Sequence, residues 1–247
     1  MTRGAATVAA IVLTAVGAGP AAHAAVPRQT GSFTYTSTVP GTATGLVIAF
    51  DFQNPEDPDL KPHTVGKMVI RTPPGGVVDT TVRPRCRATD AELYALGPAG
   101  CPPETKAGGG VAVSDSGGDG PLPRYSNNFI SDFNGDGEII GVGENEGIPV
   151  VRSVDHTKID GNTSTTELPI FPGVPPPDPY TPLKSLDETF PAYVNAEGRP
   201  WARTPPTCPA SGYWTITAEF TYRDGVVETL ASRSPCQRGK PRAATSP

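Results

Sequence analysis

Between Trp214 and Tyr222 the chain alternates without a break, with Trp214, Ile216, Ala218, Phe220 and Tyr222 on one side and Thr215, Thr217, Glu219 and Thr221 on the other. A period of two is the side-chain repeat of a half-buried β-strand, and no helix can place such a run on one face. Asp224-Gly225 follows, a dipeptide suited to the positive-φ positions of a tight hairpin turn, and the chain then returns towards Cys236. A two-residue loop predicts that Tyr222 faces Val227, Phe220 faces Thr229 and Ala218 faces Ala231, which keeps the mostly apolar side together.

The four cysteines, Cys86, Cys101, Cys208 and Cys236, allow three disulfide pairings. The local one, Cys86 with Cys101 and Cys208 with Cys236, is favoured, because the hairpin register sets Cys236 opposite Tyr213, five residues from Cys208. Structural zinc is disfavoured: the gaps of 14 and 27 intervening residues lack the close cysteine pairs that such sites use.

Disulfides require an oxidising compartment, and the N-terminus supplies an address for one. Arg3 precedes an apolar run from Ala5 to Ala18, and Ala22-His23-Ala24 has the small-x-small form of a cleavage site, so residues 1–24 read as a signal peptide and the mature chain begins at Ala25. The apolar run falls short of the ~20 residues of a membrane span, and no second one follows. A secreted, extracellular protein with no membrane anchor after cleavage is expected. Loss of Arg3 from 20 basic residues leaves 19 against 25 acidic ones, a net charge of −6. That balance argues against nucleic acid, which needs a basic patch. Arg238, Lys240 and Arg242 lie in residues 237–247, which read as a disordered basic tail.

The 28 glycines and 30 prolines exclude a helical protein, since both break helices and serve turns. Alternation recurs at Phe33 and Tyr35, at Leu46, Ile48, Phe50 and Phe52, and at Thr64–Thr72. Further short strands read at 77–82, 108–113, 128–133, 138–142, 148–154, 165–171 and 183–190. Thr89-Asp90-Ala91-Glu92 has the form of a capping box, and Leu93, Leu96 and Gly97 supply an apolar stripe and a stop, so one short helix lies between Cys86 and Cys101. Nine to eleven short strands with frequent turns predict one all-β domain over residues 25–236, an antiparallel β-sandwich of immunoglobulin-like or jelly-roll-like type.

The run Cys86-Arg-Ala-Thr-Asp-x-Glu-Leu-x-Ala-Leu-Gly through Cys101-Pro, together with Thr204-Pro-Pro-Thr-Cys208-Pro-Ala-Ser-Gly-Tyr-Trp214 and Phe220-Thr-Tyr222-x-Asp224-Gly225, resembles a group of secreted proteins of uncharacterised function from high-GC Gram-positive bacteria. The resemblance covers most of the mature chain. Its motifs are structural, and it brings no activity or catalytic residues with it.

One stretch carries ligand chemistry. In Asp132-Phe-Asn134-Gly-Asp136-Gly-Glu138, oxygen donors recur at every second position and a glycine follows the third, as in the first half of a calcium loop, so Asp132, Asn134, Asp136 and Glu138 are candidate Ca2+ ligands. The twelfth position, where a closing carboxylate belongs, is Gly143. The favoured reading of the stretch is a plain hairpin turning at Asn134-Gly135 or Asp136-Gly137, with the calcium loop as the alternative. No catalytic residue is assigned: His63 and His156 lack a nucleophile motif, and Asp155 and His156, adjacent on a strand, would point to opposite faces. Carboxylates such as Glu144, Glu146, Asp187 and Glu188 are available for glycosidic chemistry, whose requirement is a separation in space. Trp214 belongs to the core, which leaves Trp201 as the aromatic candidate for an exposed sugar platform. The expectation is a monomeric, non-enzymatic binding or structural module for an extracellular ligand, with cell-wall polysaccharide as a candidate. The competing class is a secreted hydrolase acting on carbohydrate.

Overall fold

Most alternating segments form strands, while β4 is shorter than the expected 77–82, β8 and β9 are displaced from 148–154 and 165–171, and β11 is unexpected: β1 (Gln29–Tyr35), β2 (Leu46–Phe52), β3 (Val65–Arg71), β4 (Val77–Val78), β5 (Lys106–Asp115), β6 (Tyr125–Asn134), β7 (Glu138–Asn145), β8 (Arg152–Asp160), β9 (Thr163–Glu167), β10 (Leu183–Phe190), β11 (Ala202–Arg203), β12 (Tyr213–Tyr222) and β13 (Val227–Pro235). The structure is a computed structural model that describes residues 26–118, 123–147, 150–169, 171 and 180–237. The signal peptide, residues 238–247 of the basic tail and residues 172–179 of the Pro-rich link before β10 lie outside the described residues.

Eleven strands join one antiparallel sheet in the order β1-β2-β10-β5-β6-β7-β8-β9-β3-β12-β13, and β4 pairs with β11 in a second, small sheet. The expected sandwich is therefore corrected. Among the described residues no second large sheet packs face to face on the first; the long sheet curls until β1 and β13 meet, giving a nearly closed barrel. Both disulfides have the favoured local pairing, Cys86–Cys101 and Cys208–Cys236.

The hairpin register differs from expectation by one residue, and that residue closes the barrel. Phe220 pairs with Glu228 and Ala218 with Leu230, not with Thr229 and Ala231. The loop is longer than two residues: the Tyr222 amide donates to the Val226 carbonyl, the Gly225 amide to the Tyr222 carbonyl, and Gly225 takes φ +87°. A slip of one flips every side chain of the return strand. Ser232 and Ser234 thus turn inward, where Ser232 Oγ accepts from the Phe33 amide and donates to the Phe33 carbonyl, and Ser234 Oγ accepts from the Tyr35 amide. Serine hydroxyls stand in for the missing backbone ladder between β1 and β13. Ser232→Ala should cost about 1 to 3 kcal/mol, since it leaves two buried backbone groups of Phe33 unpaired. Urea melts check this, and an unchanged midpoint would mean the seam contributes nothing.

The two halves of the barrel wall are built differently. On β1, β2 and β12, Tyr35 meets Trp214 edge-on at 5.6 Å between ring centroids, and Phe220 meets Phe50 at 5.1 Å and Phe52 at 5.8 Å. These rings fill that side. On β6, β7 and β8 the apolar residues Phe133, Ile140, Val142 and Val154 point outward, into a second core with Cys86, Leu93 and Cys101. Helix α1 (Asp90–Leu96) covers this outer face, started by the Thr89–Glu92 capping box, while the Arg152 guanidinium from β8 donates to the Tyr94 and Ala95 carbonyls at its end. The inner faces of the same strands carry Asp132, Gly143 and Asp155 beside Ile130, Ile139 and Ile159, with Gly141 between the two aspartates. About eight strands make a barrel that side chains can just fill, so eleven leave a space beside so many small residues.

Candidate functional site

That space is a cavity with a volume of about 140 Å³. Its wall is mostly apolar, with Leu46, Ile48, Met68, Ile70, Ile130 and Leu186 among its residues, and Asp132, Asp155 and Glu188 stand on it. The strands place the three acids by register. Asp132 of β6 and Asp155 of β8 both pair with Gly141 of the intervening β7, so they lie in one row two strands apart, about 10 Å between their Cα atoms. Gly141 has no side chain to separate them. A Cβ there would lie 2.5 Å from Asp155 Oδ2, which means the Asp155 carboxylate rests on the glycine. Glu188 of β10 pairs with Gly110 of β5, whose neighbour on the other side is Ile130, two residues along β6 from Asp132.

None of the three acids receives a hydrogen bond from another described residue in the way a buried carboxylate ordinarily does. Asp132 is 3 % exposed and its Oδ2 has no partner. Asp155 and Glu188 keep more accessible surface, and they line the cavity. Burial pushes the Asp132 carboxyl up to about 8; the Asp155 charge adds to the rise and Lys106 opposes it. Burial likewise raises Asp155 to about 6 against the pull of His156. Glu188 is driven well above the usual carboxylate range by burial first, then by the charges of Asp132 and Asp155. A desolvated acid with no donor resists ionisation, and each ionised neighbour makes it harder.

The structure does not bring the four candidate calcium ligands together. Asp132 faces the cavity. Asn134 is fully buried at the end of β6, where its Nδ2 donates to the carbonyls of Thr80, Arg83 and Pro84 and its Oδ1 accepts from Trp201 Nε1 at 2.9 Å. Asp136 is 84 % exposed on its side chain and pairs with Arg85, and Glu138 pairs with His156 on the outer wall. The reason is parity together with the turn. Asp132 and Asn134 are strand residues already committed inward, while the chain reverses after them through the Gly135 amide to Glu138 carbonyl bond. β6 and β7 form the hairpin of the favoured reading. Among the described residues no group of three His, Cys, Asp or Glu could hold a metal ion.

Trp201, the one aromatic candidate for a sugar platform, is 0 % exposed. It closes one end of the barrel, stacked on Phe190 at 6.0 Å beneath the guanidinium of Arg83. Asp155 and His156 do point to opposite faces. His156 sits on β8, where its Nε2 meets Asp90 at 3.0 Å and its Nδ1 meets Glu138 at 3.1 Å. Partial burial lowers its pKa, but the hydrogen bonds and charges of Asp90 and Glu138 outweigh that, and the net shift is upward.

Sequence reasoning missed the acid cluster as a cluster. The usable signal was glycine opposite acid, Gly141 between Asp132 and Asp155 and Gly110 beside Glu188, which is visible only when the strand order is known. No family model, curated protein or solved structure matches the chain.

Proposed function

We propose that the protein is a secreted, non-enzymatic binding protein that takes a small, largely apolar molecule into the interior of its barrel. The observation that carries this reading is the cavity itself, walled by aliphatic side chains and holding an Asp132 oxygen with no partner. Interiors are otherwise close-packed, and a buried polar atom without a partner is costly, so both features are what a receptor for a ligand would need. The two disulfides support an oxidising, extracellular setting, and no helix of the described residues is long and apolar enough to cross a membrane. Polysaccharide is no longer the favoured ligand. Both tryptophans are buried, so neither offers an exposed platform for a sugar ring.

The test is calorimetric titration with octan-1-ol, whose chain suits an aliphatic wall, beside a variant with the cavity filled by Leu186→Trp. Saturable one-to-one binding that disappears in the filled variant, with circular dichroism retained, is the expected result. If neither octan-1-ol nor its amine counterpart octylamine binds, the reading fails.

A second reading rests on one specific observation. Asp155 and Asp132 lie in register about a bare glycine, with carboxyls raised to about 6 and about 8, so near neutral pH one would be ionised and the other protonated. That division is what glycosidic hydrolysis asks of two acids. Release of nitrophenol from small aryl glycosides, abolished by Asp132→Asn, would establish the hydrolase instead.

A further inference from the structure

We propose that the ligand of this cavity carries an amine or guanidinium on its apolar body, and that Asp132, Asp155 and Glu188 receive its N–H groups. The inference rests on the reading of the barrel as a binding protein and names the class of ligand. Three carboxyl groups share one inner region of the wall, on β6, β8 and β10, around positions where β5 and β7 carry glycine. They are the only carboxylate or ammonium side chains on the cavity wall among the described residues, so nothing within the lining neutralises them. The nearest balancing charges come from elsewhere: Lys106 acts on Asp132, and His156 acts on Asp155 from the outer face.

An organic cation fits this arrangement better than a metal ion. The three acids are not grouped closely enough to ligate one metal, whereas an ammonium or guanidinium can distribute several N–H donors. The unpartnered Oδ2 of Asp132, a residue only 3 % exposed, asks for a donor and not merely for positive charge. That favours a primary amine or guanidinium over a quaternary ammonium. The apolar body has aliphatic wall to cover, and Phe33, Phe171 and Phe190 offer ring faces or edges beside it.

Proton linkage follows from the same geometry. In the empty cavity the acids hold their protons up to unusually high pH. A bound cation favours the carboxylate form, so binding expels protons and strengthens as pH rises. A neutral ligand of the same length has no such dependence.

The experiment titrates the secreted protein with octylamine, octan-1-ol and octyltrimethylammonium at pH 5, 6, 7 and 8, each in two buffers of different ionisation enthalpy. Octylamine is expected to bind at least tenfold more tightly than octan-1-ol at pH 8, to lose most of that advantage at pH 5, and to release protons, with octyltrimethylammonium weaker than octylamine throughout. Asp132→Asn should weaken the preference and its pH dependence, and Asp132→Asn, Asp155→Asn and Glu188→Gln together should abolish both, while octan-1-ol binding stays in place, which shows that the barrel still folds. Equal affinities for octylamine and octan-1-ol at pH 8, or a pH-independent octylamine affinity, would overturn the assignment of a cationic ligand and leave the binding cavity standing. Failure of all three ligands would overturn the binding reading itself.

Discussion

Neutralising the cavity acids together, as Asp132→Asn, Asp155→Asn and Glu188→Gln, is expected to stabilise the protein at pH 8 by at least about 3 kcal/mol and to flatten its stability profile between pH 4 and 8. The sign follows from where the protons sit. All three carboxyls have folded-state pKa values raised above their unfolded ones, Asp132 from 3.8 to about 8 and Asp155 from 3.8 to about 6. The folded state therefore binds more protons than the unfolded state over this interval, and stability falls as pH rises through it. Below about pH 4 the acids are protonated in both states, and the full stability is present. Above about pH 8 that contribution is lost. At about 1.4 kcal/mol per pKa unit, Asp132 alone sets an upper bound of about 6 kcal/mol, which relaxation of the cavity and sharing of charge among the three acids reduce. Urea denaturation at several pH values measures the effect. A wild-type profile parallel to that of the triple variant would show that the acids are not desolvated in the folded protein.

Truncating Trp201 to alanine is expected to cost about 3 to 5 kcal/mol, the range for removing a buried aromatic side chain. Trp201 is fully buried, stacks on Phe190 and donates to Asn134 Oδ1 at 2.9 Å. Asn134 in turn holds the Thr80, Arg83 and Pro84 carbonyls, so the indole, the amide and the 80–84 segment act as one stopper for the end of the barrel. Trp201→Phe separates packing from hydrogen bonding. It keeps a ring but orphans Asn134 Oδ1, for a cost of about 1 to 3 kcal/mol. A double-mutant cycle with Asn134→Ala should show coupling between the two residues. Independent, additive effects, or a loss near zero for Trp201→Ala, would place the stopper's stability elsewhere.

Asn134 also shows how a motif can be legible and still mislead. Oxygen donors at alternate positions suit a calcium loop, but in a strand they also put Asp132 and Asn134 on one face of the sheet, and here that face is the inside. The amide is saturated by carbonyls, and Asp132 is drawn into a group with acids 23 and 56 residues further on. Phe133, Ile140, Val142 and Val154 are apolar and buried. They are buried outside the barrel, under the disulfide-stapled helix.

The sequence by itself determined the strands, the capped helix and the closing hairpin, because period two, a capping box and turn dipeptides are local properties of a few neighbouring residues. The local disulfide pairing was also readable, because the hairpin brings Cys236 back near Cys208 even with its register one residue off. Only the tertiary structure decided the hairpin register, the barrel in place of the sandwich, and the meeting of three acids around bare glycines. Alternation separates the two faces of a strand and is silent on which face is the interior. A one-residue change in a loop reverses the faces of β13, turning Ser232 and Ser234 towards β1. The inner wall then depends on which strands become neighbours across the whole chain, a matter of long-range pairing that no local pattern encodes.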